Sequence, residues 1–408
     1  MISRRPGPAL WALALGYFSF GTSSLAVVGL GDPIGADLHV SQSRVGLLVT
    51  VFALTFALTA PLAPVLLGRL GRKTVLLSGL AVMAAGGVAA ALAPNYGALS
   101  AARVLTALGG AAFGPAASVA GSLLVPAERR ARALATVFAG MTAAAVLGVP
   151  LSTSLGQSVG WRWTTVGIAG LTLLALGLVA AFVPALERGT PATLAAFPPV
   201  LRTAGVVPAV TTTFAFMAAQ FTVYGVMGAY LADRFGSGTG QVAALLLVFG
   251  VAGVVGNALA GRVFERLGGP ATITVSLTGF GVAFAALQLA PADLAVAVAA
   301  IVVWAAFSQL FQAPQQARLV ALVPDQRALG LALNASSLYL GMSMGSLLGS
   351  GLLPALGASW LPAAGLVPLA LAAAAHRASG RHHAVRDAAP APAAVSEAPA
   401  APAAAHAR

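Results

Sequence analysis

Twelve apolar runs, each close to or beyond twenty residues, recur along this chain with only short interruptions. They fall at about 10–31, 45–67, 74–93, 98–121, 134–157, 164–184, 205–231, 242–264, 271–290, 294–316, 328–353 and 359–376. A helix of roughly 20 apolar residues spans a hydrocarbon core. Backbone amides in lipid must be satisfied within the segment or in a closed barrel. The ten-residue alternation of a barrel strand is not seen, so the runs are helices. Charge agrees: only 8% of the 408 residues are Asp, Glu, Lys or Arg, against roughly a quarter in a soluble domain. Such a chain can be neither a soluble globular enzyme nor a disordered polymer. The expected fold is an all-α integral membrane protein with twelve transmembrane helices. Cysteine is absent, which excludes disulfides, a thiol nucleophile and a zinc–thiolate site.

The 22 basic and 10 acidic residues give a net charge of +12. The excess reports topology. With the N-terminus in the cytoplasm, 18 of the 22 cations fall on the cytoplasmic side and Arg44, Arg162 and Arg234 on the outer side. That is a strong positive-inside bias. It implies an inner (plasma) membrane protein with both termini cytoplasmic, and it needs no nucleic acid. The first run is too long for a cleaved signal peptide and lacks a small-residue exit. The longest interior interruption, 185–204, carries Glu187, Arg188, Pro191, Pro198, Pro199 and Arg202 and divides the spans six and six. The expected organisation is one six-helix half at 1–184, a cytoplasmic linker at 185–204, a second half at 205–376 and a disordered cytoplasmic tail at 377–408, Ala/Pro-rich from Ala388.

The halves repeat one another. Arg69-Leu70-Gly71 returns as Arg266-Leu267-Gly268, and Val125-Pro126-x-x-Arg129 as Val323-Pro324-x-x-Arg327. Gly148 maps onto Gly345 and Leu151 onto Leu348. A duplicated six-span unit is the architecture of secondary transporters, which bind substrate where the repeats meet.

Three motifs carry a more specific resemblance. The loop Gly68-Arg69-Leu70-Gly71-Arg72-Lys73 reads physically as a tight, basic turn that helix C-termini and anionic lipid can hold. It resembles the signature loop of the major facilitator superfamily, Gly-x-x-x-Asp-Arg-x-Gly-Arg-Lys, with Pro64 at the first Gly and Gly68 at the Asp. The second copy keeps an acid, Glu265 before Arg266. The resemblance implies an inter-helix charge latch that is broken in the first half and kept in the second. The fourth run holds Arg103 in Arg103-Val104-Leu105-Thr106-Ala107-Leu108-Gly109. It is similar to the superfamily's fourth-span motif, whose Arg is tied to proton coupling. The fifth run, Gly140 to Gly148, Pro150 and Gly156, followed by Gly160-Trp161-Arg162, resembles the antiporter motif of the drug/proton antiporter and arabinose-efflux branch. By this resemblance the chain is an exporter of small amphipathic compounds, drug-like or sugar-like, working by alternating access, as in multidrug resistance. It acts as a monomer with no cofactor.

Arg103 is the one cation well inside a run. A buried guanidinium needs an anion or a wet cavity, or else snorkels to the surface. Asp32 follows Ser24, which stands where the efflux branch usually carries a buried Glu. Read as one helix, eight residues put Asp32 two turns outward on a similar face. It is then either the proton acceptor, tuned by Arg103, or an exposed acid at the helix end before Pro33. Asp37 reads as a loop or capping residue. Candidate substrate ligands are Tyr17, Ser24, Gln220, Tyr224, Gln309, Gln312, Asn334 and Tyr339, although a phenol or amide in a dry interior also serves as an interhelical hydrogen-bonder. The five histidines lie outside the span interiors, which speaks against a membrane-embedded enzyme. No polar pore ring suggests a channel. A facilitator or importer without proton coupling is the nearest rival, favoured by Ser24. The partners are therefore a lipid bilayer, a small-molecule substrate and protons.

Overall fold

The computed structural model describes residues 6–126, 129–186, 194–289 and 293–388. Glu187, Arg188 and Pro191 of the expected linker, and the tail from 389, lie outside the described residues. The described chain is helical, with no strand. Among the described residues, eleven spans are long and apolar enough to cross a membrane: Pro6–Gly29, Gln42–Thr59, Arg72–Ala91, Tyr96–Leu123, Arg132–Ser158, Trp161–Phe182, Val206–Tyr224, Thr239–Leu267, Gly269–Leu289, Leu294–Leu322 and Ala358–Ser379. The 30-residue helix Arg327–Leu356 occupies the eleventh place, so Ala358–Ser379 is span twelve. The fold class read from the sequence stands: an all-α membrane protein of two pseudo-repeated six-helix halves.

Local chemistry starts and ends the helices. Asn95 caps span four by accepting from the Ala98 amide at 2.9 Å, and Asp293 caps span ten through the Ala295 amide at 2.7 Å; both satisfy otherwise orphaned donors. Gly268 and Gly357, each at φ 79°, turn the chain between spans eight and nine and between eleven and twelve, a conformation that favours glycine.

The apolar runs hide breaks. Span one stops at Gly29, and Gly31–Leu38 forms a separate short helix, so Asp32 does not continue the first helix. Span seven ends at Tyr224 and restarts as Met227–Phe235. Span ten is interrupted between Gln309 and Gln312 and runs on to Leu322, beyond the expected 316. The last helix passes the expected end at 376 and reaches Ala388. In the linker region, Phe197–Arg202 is a short helix. Span five contains a π-helical turn at Ala144–Gly148, where the Val149 amide reaches back to the Ala144 carbonyl. Pro150 follows at once and has no amide to donate, so the ladder is loosened there.

The repeat is visible in the packing. Span five lies on span one so closely that a Cβ on Gly140 would meet the Ala14 carbonyl and one on Gly148 the Thr22 side chain. Span eleven lies on span seven in the same way: Gly341, Gly345 and Gly349 face the carbonyls of Phe214, Ala218 and Thr222. Small residues permit this approach of backbones in a membrane bundle. Exposed leucines and valines such as Leu173, Leu174 and Val282 sit on faces that lipid would cover.

Candidate functional site

The halves meet along spans two and eleven. Ser346 Oγ donates to the Gly46 carbonyl at 2.9 Å. Ser343 Oγ donates to the Thr50 carbonyl at 3.3 Å, and Thr50 Oγ1 to the Ser343 carbonyl at 3.4 Å. The Phe56 and Tyr339 rings lie across the same seam, 3.9 Å between centroids. Every described hydrogen bond between the halves belongs to this seam. It begins near the ends of the bundle that carry Asp32, Arg44 and Arg162, here the far face. The end carrying Arg69, Arg72, Lys73 and Arg266 is the basic face. Spans five and eight give a second meeting point, where a Cβ on Gly250 would lie 2.8 Å from Val146 Cα, in the π-helical turn.

Arg103 is 4% exposed. One guanidinium nitrogen donates to the Ser23 carbonyl at 2.5 Å and the other to the Ser24 carbonyl at 2.8 Å. The group also stacks over the Phe52 ring at 4.5 Å, a cation–π contact. Its Nε has no partner among the described residues. Arg103 thus ties span four to spans one and two and lines a small cavity of about 40 Å³ with Ser23, Met83, Thr106 and Trp161. That is room for a few water molecules. The snorkelling alternative does not describe it.

The expected pairing of Arg103 with Asp32 is not made. Asp32 is exposed on its short helix and accepts from Gln42 Nε2 at 2.6 Å. It lines a different cavity, between the halves, with Gly46, Val226, Ala229 and Thr239; only Val27 lines both. Partial desolvation pushes the Asp32 carboxyl above the usual carboxylate range, and Asp233 of the second half adds to the rise. The break at Leu30 is the physical reason for the separation. Asp37, for its part, accepts from Trp161 Nε1 at 3.1 Å and pairs with Arg162 at 2.8 Å. Arg162 also donates to the Ala91 and Ala93 carbonyls. Gly160-Trp161-Arg162 is therefore a far-face clamp on spans three and six.

The eight substrate candidates fall into two groups. Tyr17 donates to the Gly114 carbonyl at 2.6 Å and lies 2.7 Å from Ser118 Oγ. Ser24 Oγ donates to the Gly21 carbonyl. Asn334 Oδ1 accepts from Thr213 at 2.7 Å. These three are spent on helix packing. Gln220, Gln309 and Gln312 are half-buried, and none of them makes a side-chain hydrogen bond among the described residues. Tyr224 packs its ring on Phe249 and Trp304, and Tyr339 on Phe56; neither hydroxyl has a described partner.

In the loop motif, Gly71 precedes the helix Arg72–Ala91 and Lys73 Nζ donates to the Ala180 carbonyl at 2.8 Å, at the end of span six. Arg69, Glu265 and Arg266 are exposed. The one ion pair among the described residues is Arg162–Asp37, so the Glu265 latch expected in the second half is not closed here. The reading of the histidines needs correction. His376 lies inside span twelve, 6% exposed, against Arg318 of span ten. Gln315, fully buried, donates to the Ala209 carbonyl and to Thr213. Arg318 lies beyond the expected end of span ten at 316, whereas Gln315 lies within the run and nothing in the sequence distinguishes it from Gln309 and Gln312.

Comparison with known proteins agrees with this architecture. The Major Facilitator Superfamily model matches residues 13–238 and 209–405. The chain is 31% identical over 368 residues to the inner membrane transport protein YdhP of Escherichia coli K12, covering 89% of this chain and 93% of that one. Among solved structures it resembles a bacterial homolog of the human lysosomal transporter Spinster, inward-facing and unoccupied, with TM-score 0.74, 19% identity and coverage of 93% and 98%. It also resembles a D-xylose–proton symporter, with TM-score 0.74, 17% identity and coverage of 90% and 96%. At these identities the two structures share a fold with this chain.

Proposed function

The chain belongs to the Major Facilitator Superfamily and is a multi-pass membrane transporter; from that premise we propose that it exports small amphipathic compounds in exchange for protons. The basic face is cytoplasmic by the positive-inside rule, and the far face lies outside. The observation that carries the reading is the set of uncommitted polar side chains at mid-bundle. Gln220, Gln309, Gln312 and the hydroxyls of Tyr224 and Tyr339 have no described protein partner, while Phe249, Trp304 and Phe56 supply apolar walls beside them. An apolar site with a few free donors and acceptors suits an amphipathic solute. Alternating access then opens and closes the seam between spans two and eleven.

In this reading Asp32 takes the proton at the outer gate. Its raised proton affinity and its position between the halves support the role. Arg103 acts as a positioning residue that pins span one at Ser23 and Ser24. The test is Asp32→Asn in everted vesicles, following substrate flux and proton flux together with a panel of resistance phenotypes. Export should become uncoupled from the proton gradient; full export with full proton movement refutes the assignment. A facilitator without proton coupling is the second reading. It is favoured by Ser24, whose hydroxyl is turned onto its own helix where related exporters carry an acid.

A further inference from the structure

A buried cluster at the basic end of the second half has a fully determined hydrogen-bond polarity. Arg318 donates through one guanidinium nitrogen to His376 Nδ1 at 3.0 Å and through the other to the His376 carbonyl at 3.1 Å. A guanidinium only donates, so Nδ1 must carry a lone pair and the imidazole must be neutral, with its proton on Nε2. That Nε2–H points to Thr274 Oγ1 at 3.1 Å. Thr274 in turn donates to the Pro270 carbonyl at 3.1 Å. The chain of donors therefore runs one way, from Arg318 through His376 and Thr274 to the backbone of span nine. It joins spans nine, ten and twelve. Arg318 and His376 are 8% and 6% exposed.

We propose that Arg318, His376 and Thr274 form a proton-operated clasp, closed while His376 is neutral and released when His376 takes a proton. A proton on Nδ1 would put two donors and two positive charges face to face at 3.0 Å. Among the described residues, the only other charged group near the ring is Arg377, the next residue along span twelve. On span nine the groups facing the ring are the Thr274 hydroxyl and the Pro270 carbonyl, neither of which titrates; the carbonyl accepts from the Nε2 side and leaves Nδ1 facing Arg318. Span seven is tied to span twelve by Ser379 Oγ donating to the Gly205 carbonyl at 2.9 Å, which is also uncharged. No carboxylate among the described residues is positioned to take up the added charge. Protonation then breaks the bond from Arg318 to Nδ1 and leaves span twelve held to span ten at this point by the single bond to the His376 carbonyl, which the repulsion between the two cations strains. The clasp senses protons at the basic face. It does not depend on Asp32 or on exchange of substrate for protons.

The chain has no native cysteine, so a spin-label pair can be placed at the exposed positions Ala317 and Leu371 in the otherwise unchanged protein. In lipid, lowering pH from 8 to 5.5 should raise the population of a separated state at least tenfold. His376→Asn keeps an acceptor for Arg318 and cannot take a proton, so it should hold the short distance at every pH. A flat wild-type response, or a His376→Asn protein that follows the wild-type curve, overturns the clasp. If His376→Asn does not assemble, Arg318→Gln decides. Glutamine can still donate to Nδ1 but carries no charge, so the midpoint should move to higher pH by about one unit, a tenfold gain in proton affinity. An unmoved midpoint overturns the proposal. Transport by Asp32→Asn protein run in parallel separates failure of the clasp from failure of proton-coupled export.

Discussion

Removing the two serine hydroxyls from the seam between spans two and eleven should open the far face about tenfold more often. The bond from Ser346 to the Gly46 carbonyl, at 2.9 Å, has good geometry. Such a neutral bond contributes about 1 kcal/mol net. The bond from Ser343 to the Thr50 carbonyl, at 3.3 Å, is stretched, and about 0.5 kcal/mol is its share. Ser343→Ala with Ser346→Ala loses both, roughly 1.5 kcal/mol, or about tenfold in an equilibrium. The Thr50 hydroxyl keeps its backbone acceptor at Ser343, and the Phe56–Tyr339 contact is untouched. Spin labels at Ala36 and Gly240, both exposed and on opposite halves, report the far-face distance. A Cβ at Gly240 meets nothing within 4 Å. Ser350→Ala is the control, because the Ser350 hydroxyl shares this seam but has no hydrogen-bond partner. A double variant with the wild-type distance distribution, or a control that shifts as far, refutes the account of the seam.

Three further outcomes follow from the same contacts. Arg103→Met should melt within a few degrees of wild type or above it in detergent, because replacing a buried ion by an apolar side chain is often neutral or stabilising; its transport should fall about a hundredfold, the worth of two charge-assisted bonds at about 1.5 kcal/mol each. Gln220→Ala and Gln309→Ala should each weaken apparent substrate affinity by up to about tenfold with maximal rate kept, whereas Asn334→Ala, which removes the acceptor of the buried Thr213 hydroxyl, should lower thermal stability in a melting assay. Far-face closure should strengthen as pH falls through the raised Asp32 value toward the ordinary carboxylate range, since the closed state binds that proton more tightly, and the Ala36–Gly240 distance in Asp32→Asn should lose this dependence.

The spans were legible because a hydropathic run of twenty residues has one stable outcome in lipid. Arg103 was legible for the related reason that a cation in such a run must be accommodated by something. The helix breaks were not. Leu30, Gly225 with Val226, and Leu310 with Phe311 lie within continuous apolar sequence, and hydropathy does not register a change of helix axis. That single blind spot misplaced Asp32, whose relation to Arg103 was argued along one uninterrupted helix. Span ends are a separate matter: ending span ten at 316 makes Arg318 a loop residue and ending span twelve at 376 puts His376 at a span terminus, although both helices run on and bury the pair. The division of the polar candidates into committed and free side chains was beyond the sequence for a different reason. Tyr17 and Gln220 are equally good ligands by type, and only the position of Gly114 and Ser118 relative to Tyr17 removes the first.

Few described hydrogen bonds hold the two halves to one another, and their placement locates where the molecule can move. Inside each half, spans meet backbone to backbone. Besides the glycine contacts of spans five and eleven, a Cβ on Gly109 would lie 2.5 Å from the Met83 amide nitrogen and 2.6 Å from the Gly79 carbonyl. Deforming such contacts costs several well-packed atoms at once. Between the halves, the described hydrogen bonds number three, two of them stretched, and roughly 2 kcal/mol breaks them all. A tight backbone contact between the halves, Gly250 on Val146, falls where span five is already loosened by its π-helical turn ahead of Pro150. A tight contact at a loosened turn can serve as a pivot, while the weak seam at spans two and eleven opens and closes around it. Gly250→Val discriminates between this arrangement and a flexible bundle. Added bulk at a pivot should halt transport while leaving each half folded and the Ser346–Gly46 seam closed in the label-distance assay. Added bulk in a flexible bundle should be absorbed with transport retained.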